Sequence, residues 1–197
     1  MSTPSPATLR KDLRQYLTSL ESTERECLTQ AAMENFLTTP EYRRCRHIAA
    51  FYPIRHELDL MPLIETCWAD NKQVYLPCLL PRPFQKMIFQ PFTAKTPLRL
   101  NRFRIPEPDL PVRRHVNVRQ LDVVITPLLA FGPQGQRLGM GGGFYDRTFA
   151  FLKRHTRYQK PHLWAIALEA QAQALTANPW DVNIDGVTTE KTIYRYD

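Results

Sequence analysis

VVITPLLAFGPQGQRLGMGGGFYD, residues 123–146, is the stretch of sequence that decides the fold. Its first four residues, Val123–Thr126, form a β-branched run that is typical of a central strand buried on both faces of a parallel sheet. A glycine-rich stretch, Gly132–Gly143, comes next and leads into a predicted helix over Phe144–Leu152. Because ligands bind at the carboxyl ends of strands in such sheets, a binding site is expected directly after this strand.

Helix and strand patterns alternate outside this stretch. Apolar residues at helical spacing predict helices near residues 7–20, from Thr23 through Leu37, and from Pro62 to Trp68. Short apolar runs predict strands over Ile48–Tyr52, Val74–Leu76, Ile88–Phe92 and Leu163–Leu168. Thr23 and Glu26 have the spacing of a capping box that would open the second helix. Pro77 is expected to end the strand before it.

Two further segments complete the pattern. Leu98–Val118 is rich in proline and arginine and is expected to be an extended surface connection, and Asp181–Glu190 is expected to be a loop followed by a short strand. Strands that alternate with helices predict an α/β fold. The expected architecture is a three-layer α/β/α arrangement with a mostly parallel central sheet, in a single domain over residues 1–197.

Composition and charge limit the classes of function. The 197 residues are 43% hydrophobic, contain no apolar run of the roughly 20 residues that cross a bilayer, and begin without an apolar signal region. We therefore expect a cytoplasmic protein with no membrane partner. The net charge of +7 favours anionic small molecules. None of the four cysteines has the spacing of a zinc site, and a disulfide framework is not expected.

The glycine segment, Gly139–Gly143, has the composition of an anion site. Four glycines ahead of a helix can present free N–H groups to a phosphate, and Arg137 adds a fork of donors. No Gly-Lys-Ser/Thr follows, and Phe144 stands where a dinucleotide motif requires glycine. A flexible loop without a ligand is the alternative. Asp146 would either stabilise the helix dipole or hold Mg²⁺ beside the phosphate.

Two other acidic positions are candidates. Glu57 ends the stretch YPIRHE, Tyr52–Glu57, which follows the first predicted strand. It could accept hydrogen bonds from an amide or pyrimidine edge, or it could be a solvated loop acid. Asp181 and Asp185 could approach a metal ion, or they could simply cap turns.

These segments together resemble the 5-formyltetrahydrofolate cyclo-ligase family, also called methenyltetrahydrofolate synthetases. The most specific match is RLGMGGGFYD, residues 137–146, with the preceding TPLLAF; IPEP at Ile105–Pro108 and the W-D-x-x-x-D pattern from Trp180 also match. The resemblance extends from Leu9 to Glu190 and implies an enzyme of folate metabolism. In the implied reaction, ATP phosphorylates the formyl oxygen of 5-formyltetrahydrofolate, N10 attacks the activated carbon, and phosphate leaves to give 5,10-methenyltetrahydrofolate and ADP.

The resemblance also implies roles for individual residues. The implied ATP contacts are Arg10, Arg14, Arg137, Leu138, Gly139, Met140, Gly141, Gly142, Gly143, Phe144 and Tyr145. The implied folate contacts are Tyr52, Glu57, Met140 and Phe144, the magnesium ligands are Asp146 and Asp181, and the catalytic residues are Arg137 and Tyr145. The expected partners are small molecules, including a folate that carries a polyglutamate tail. Neither nucleic acid nor a second copy of the chain is expected.

The chain departs from the family pattern at two places. Many members have a lysine three residues before the Leu-Arg pair of the first helix, where this chain has Pro6; either Lys11 or Arg14 replaces it, or the alignment shifts by one helical turn. Some members have a basic residue at the positions of Met140 and Gly142, whereas this loop is neutral. Arg137 is therefore expected to provide more of the charge that faces the phosphates.

Other classes of function remain as alternatives. A basic protein with glycine, arginine and aromatic residues could be a nucleotide- or RNA-binding module without catalysis, although no common RNA-binding signature is present. A relative of sugar-phosphate isomerases or acyl-CoA transferases would share the fold class, but the sequence lacks a clear catalytic acid of their kind. A requirement for ATP hydrolysis distinguishes the cyclo-ligase from both alternatives.

Overall fold

The computed structural model describes residues 5–54, 57–80, 86–154, 160–176 and 178–196. The helices are α1 (Pro6–Ser19), α2 (Ser22–Thr38), α3 (Pro40–Arg44), α4 (Met61–Ala69) and α5 (Phe144–Arg154). The strands are β1 (His47–Ala49), β2 (Gln73–Leu79), β3 (Met87–Pro91), β4 (Leu98–Leu100), β5 (Pro106–Pro108), β6 (Val123–Ile125), β7 (Ala130–Phe131), β8 (Arg137–Leu138), β9 (His162–Ile166), β10 (Gly186–Thr188) and β11 (Ile193–Arg195). No helix of the described ranges is long and apolar enough to cross a membrane.

Seven strands form the central sheet, in the order β11-β10-β9-β6-β1-β2-β3. The five inner strands run parallel to one another, and only the two edge strands of this sheet, β3 and β11, pair antiparallel. The predicted mostly parallel sheet is therefore confirmed. β6, the β-branched run, lies in the middle of the sheet and its three residues are buried.

The strand side chains alternate between two hydrophobic cores. Val123 and Ile125 pack into the core that also holds Leu13 of α1 and apolar residues of α2 and α4. Val124, between them, points to the other face and belongs to the core that contains Phe149 of α5. Helices therefore cover both faces of the sheet, as the predicted α/β/α arrangement requires.

The first two helices differ in how they begin. Ser5 caps α1 by accepting a hydrogen bond from the N–H of Thr8, and leucines at positions 9, 13 and 17 are buried at helical spacing. α2 begins at Ser22, with Glu21 at the N-cap position and no side-chain cap. The predicted capping box is wrong because Thr23 already lies inside the first helical turn.

Two strand predictions are corrected. β1 ends at Ala49, and the chain leaves the sheet before Tyr52. β2 continues through Pro77 to Leu79, and Pro77 pairs with Phe89 of β3. The register of β2 with β1 covers Gln73–Tyr75, so Pro77 lies beyond the end of β1. A proline is tolerated there because that side of the strand has become an edge.

Two short hairpins replace predicted irregular segments. β4 and β5 pair antiparallel within the predicted surface connection, and their turn is held by Asn101, whose Oδ1 accepts hydrogen bonds from the N–H groups of Phe103 and Ile105. β7 and β8 pair within the glycine-rich stretch. The turn between them includes Gly135, whose φ is +79°. Both hairpins lie beside the site described next.

Candidate active site

A cavity of about 1080 Å³ opens beyond the carboxyl ends of β1 and β6. Its walls come from segments that are far apart in the chain. They are the start of α1, residues 51, 52, 54 and 57, the turn between β4 and β5, residues 136–147, and residues 174–176, 178, 180 and 181. The predicted site stretch therefore meets four other segments here. Of the predicted stretch at Tyr52–Glu57, Arg55 and His56 lie outside the described residues.

Helix α1 lies against the glycine segment. Nε of Arg10 donates a hydrogen bond to the carbonyl oxygen of Gly139 at 2.9 Å, and the guanidinium of Arg14 lies 3.6 Å from the sulfur of Met140. Arg10 lines the cavity, whereas Arg14 approaches it through Met140. The leucine face of α1 anchors the helix in the core, and this fixes its basic side chains next to the glycines.

The backbone of the glycine segment has the shape of an anion site. Gly141 and Gly143 have φ angles of +97° and +62°, in the left-handed region that favours glycine. α5 begins directly afterwards, at Phe144, so the N–H groups of its first turn lie at the end of this segment. Amides at a helix N-terminus together with adjacent loop amides attract phosphates.

A buried ion pair joins the two sides of the glycine segment. Nη2 of Arg137 lies 2.8 Å from Oδ1 of Asp146, and the Arg137 side chain is only 5% exposed. The same Oδ1 accepts a hydrogen bond from the N–H of Val182 at 3.2 Å. The guanidinium of Arg137 lies 5.5 Å from the ring centre of Tyr145. Arg137 therefore holds β8 against the start of α5, and Asp146 compensates its charge.

Two buried polar atoms here have no hydrogen-bond partner among the described residues. They are the hydroxyl of Tyr145 and Nε of Arg137. Burial of the hydroxyl raises the pKa of Tyr145, the nearby Glu57 raises it further, and Arg137 lowers it. Tyr145 thus keeps its proton at neutral pH. Because an unsatisfied buried donor is costly, both atoms are suited to a ligand that accepts hydrogen bonds.

Glu57 lies in the wall of the same cavity. Burial raises the pKa of its carboxyl group to about 7, although a hydrogen bond from the N–H of Ile54 to Oε2, at 3.1 Å, acts in the opposite direction. Glu57 is thus not the solvated loop acid of the alternative interpretation. It is a half-buried residue of the cavity wall, and a pKa of about 7 means that its carboxyl group changes its charge near neutral pH.

Asp146 and Asp181 both line the cavity, although 35 positions separate them in the chain. The side chain of Asp181 accepts two hydrogen bonds from Asn178, at 2.9 and 3.0 Å. Asp185 instead accepts a hydrogen bond from the N–H of Leu163 at 2.6 Å, and so ties β9 to the start of β10. Of the two alternatives for the second acid, only Asp181 reaches the site.

The acids suit a hard cation that is held jointly with a ligand. The hydrogen bonds found for Asp146 within the described ranges, from Arg137 and Val182, both go to Oδ1. No cluster of three or more metal-binding side chains occurs in that part of the chain. Mg²⁺ is commonly held by one or two carboxylates together with phosphate oxygens and water. The two aspartates fit that ion, and they do not form an all-protein cage.

The sequence matches the model of the "5-formyltetrahydrofolate cyclo-ligase family" over residues 2–190. The chain belongs to this family. The predicted family and the predicted enzyme class, a ligase of folate one-carbon metabolism, are confirmed.

Individual relatives agree with this assignment. The chain is 35% identical to the 5-formyltetrahydrofolate cyclo-ligase of Escherichia coli K12 over 185 residues, 93% of this chain and all of the relative. It is 33% identical to that of Haemophilus influenzae, over 92% of this chain and 96% of the relative. The NMR structure of the Aquifex aeolicus 5,10-methenyltetrahydrofolate synthetase superposes with a TM-score of 0.80 at 28% identity, and covers 96% of this chain and 92% of that chain.

Several residues of this cyclo-ligase family member line the cavity without having been predicted. Phe103, 55% exposed at the tip of the hairpin, makes an edge contact with Phe144 at 6.0 Å between ring centres. Arg147 and the exposed Trp180 also line the cavity. For Phe103, the signal in the sequence was an aromatic residue between two arginines, Arg102 and Arg104. For Arg147, its place next to Asp146 was the signal.

Proposed function

We propose that the chain converts 5-formyltetrahydrofolate to 5,10-methenyltetrahydrofolate, and that it consumes ATP with Mg²⁺ and releases ADP and phosphate. The observation that carries this proposal is a cavity lined together by the glycine segment, by the buried donors of Arg137 and Tyr145, and by Glu57. The names of the relatives support the same reaction.

The reaction requires two bond exchanges. The formyl oxygen attacks the γ-phosphorus of ATP, the bond to the β-phosphate oxygen breaks, and ADP leaves. N10 then attacks the formyl carbon, and the carbon–oxygen bond breaks as phosphate departs with its electron pair. N10 gives up its proton to complete the methenyl bridge. Phosphoryl transfer depends mainly on positioning and charge stabilisation, so a rigid anion site beside the folate meets its main requirement.

The glycine segment would hold the phosphates. Amides of its positive-φ backbone and of the first turn of α5 would donate to phosphate oxygens, and Arg10 contacts the segment through the carbonyl oxygen of Gly139. The Tyr145 hydroxyl and Nε of Arg137 would donate to oxygen atoms of the bound substrates, which satisfies both groups. Arg137 would donate through Nε while its Nη2 stays paired with Asp146, because this ion pair holds the guanidinium in place.

The folate would occupy the side of the cavity that contains Tyr52 and Glu57. Tyr52 and Phe144 offer flat aromatic surfaces to a pterin ring. The Glu57 carboxylate would accept hydrogen bonds from the pterin N–H groups. Burial raises its pKa, and a charged hydrogen bond gains strength away from water.

Asp146 and Asp181 would hold the Mg²⁺ that accompanies ATP. Such an ion neutralises charge on the transferring phosphates. We also expect the protein to be a cytoplasmic monomer that folds as one domain over residues 1–197. The location in the cytoplasm, the monomeric state and the single domain stay predictions from the sequence.

A spectrophotometric assay tests the proposed function. Purified protein with 5-formyltetrahydrofolate, ATP and Mg²⁺ should produce the methenyl absorbance, and it should produce none when ATP or the divalent metal is omitted. Equal product formation without ATP would refute the ligase reaction. Nucleotide binding without product would instead favour a binding module.

A further inference from the structure

The glycine segment lacks a cationic side chain of its own. Residues 138–145 are all uncharged. The sequence prediction assigned the missing charge to Arg137, but that guanidinium is buried and lies 2.8 Å from Asp146. It could turn towards a triphosphate only by leaving Asp146 and the sheet. Another cation is therefore needed to balance the phosphates.

Arg147 lies directly on this segment. It is an exposed residue in the first turn of α5 and lines the cavity. Its Nη2 donates a hydrogen bond to the carbonyl oxygen of Gly142, and its Nη1 lies 2.8 Å from the place where a Cβ on Gly143 would be. The guanidinium also stacks over the ring of Phe144, with its carbon 5.4 Å from the ring centre. These contacts position the positive charge over the glycine backbone.

Arg10 occupies the other flank. Its guanidinium carbon lies 3.9 Å from the place of a Cβ on Gly141, and its Nε is bonded to Gly139. Two guanidinium groups from different helices therefore bracket the glycine segment. Arg10 has further N–H groups beyond the one that donates to the carbonyl oxygen of Gly139, because a guanidinium carries five donors.

We propose that Arg147 binds the phosphates of ATP and supplies the charge that the neutral glycine segment lacks. This inference rests on the proposed function. Arg147 directly follows Asp146, which would hold the Mg²⁺ that accompanies those phosphates. Both Asp146 and Arg147 line the same cavity. The competing ligand is the glutamate carboxylate of the folate, and the experiment separates the two.

The test compares Arg147→Ala and Arg147→Lys with the unmodified protein. Loss of a charge-assisted hydrogen bond should raise the KM for ATP by about 10-fold or more in Arg147→Ala, and the lysine variant should recover part of that loss. The KM for 5-formyltetrahydrofolate should change less than about twofold, since the substitution removes no proposed contact with the folate. Arg44→Ala, which removes one exposed charge from α3 outside the cavity, is the matched control.

Calorimetric titration with ADP gives a readout that does not depend on catalysis. ADP binding should be weaker in Arg147→Ala, and its dependence on salt should be shallower, because one charge fewer is screened. A positive charge placed elsewhere on the glycine segment should restore ADP binding. The variant for this is Met140→Lys in the Arg147→Ala background. Position 140 is preferred to position 142, because a Cβ at Gly142 would lie 2.9 Å from the Phe144 ring.

The outcomes separate the inference from the proposed function. If the unmodified protein is active and Arg147→Ala has an unchanged ATP KM and ADP affinity, the inference is wrong. A raised folate KM with normal nucleotide binding would also overturn it, in favour of the glutamate carboxylate. If the unmodified protein forms no product, the proposed function fails, and the ADP titration still decides the role of Arg147.

Discussion

Replacing Glu57 by glutamine should make the protein more stable at alkaline pH. The pKa of this carboxyl group is about 7 in the folded protein and 4.5 for the ordinary group, because burial disfavours its charged form. Between pH 4.5 and 7 the folded state therefore binds more protons than the unfolded state, so the free energy of unfolding falls as the pH rises. The difference of 2.5 pH units corresponds to roughly 3 kcal/mol, fully lost above pH 7.

Glutamine keeps an acceptor for the N–H of Ile54 but cannot ionise. Urea denaturation at pH 5 and pH 8 measures the effect as the difference in unfolding free energy between Glu57→Gln and the unmodified protein. We expect that difference to be small at pH 5 and to favour the variant by up to about 3 kcal/mol at pH 8. Glu65→Gln, at an exposed position of α4, is the control for loss of a charge. Equal differences at both pH values would refute the burial argument.

The same variant tests the role of Glu57 in binding. Loss of a charged acceptor should raise the KM for 5-formyltetrahydrofolate about 10-fold or more, whereas the KM for ATP should barely change. In the unmodified protein the folate KM should rise as the pH falls below about 7, since the carboxylate becomes protonated. A variant that is more stable at pH 8 and yet binds folate less well would show that burial of this charge serves binding.

Two further predictions concern the phosphate and metal sites. Gly141→Val places a β-branched residue at a φ of +97°, so ADP titration should show lost binding, with a modest decrease in Tm from backbone strain of about 1–3 kcal/mol; normal ADP affinity would rule out the glycine anion site. Asp146→Asn should strongly raise the Mg²⁺ concentration required for activity. It should also lower Tm, because it leaves Arg137 buried without its counter-charge. Asp181→Asn should raise the Mg²⁺ requirement less, and excess Mg²⁺ should partly rescue the activity of both variants. An unchanged Mg²⁺ requirement in both variants would remove the two acids from the metal site.

Part of this fold could be predicted from the sequence because neighbouring residues determine it. The leucines of α1 recur at the helical period, and the β-branched residues of β6 are suited to a strand buried on both faces. The order of strands and helices was enough to predict a mostly parallel sheet covered on both faces. The position of the glycine segment after β6 predicted where the cavity opens, since that position follows from the direction of the strand.

Predictions from short sequence patterns were wrong where contacts with residues distant in the chain determined the local structure. Pro77 was expected to end a strand, but β1 stops before it, and so the proline lies where no N–H is needed on that side. Thr23 had the spacing of a cap, but Glu21 occupies the N-cap position, two residues earlier. The segment around Phe103 contains no long apolar run, yet pairing between β4 and β5 makes it a hairpin at the edge of the cavity.

The sequence by itself determined the fold class, the family and a part of the set of residues that line the cavity. Only the tertiary structure decided which of them pair with one another. Arg10 and Gly139 are 129 positions apart, and Asp146 and Val182 are 36 apart. Such contacts depend on how the helices pack on the sheet, which no local periodicity encodes. For that reason the sequence could assign the phosphate charge to Arg137, whereas the structure shows that guanidinium already paired with Asp146.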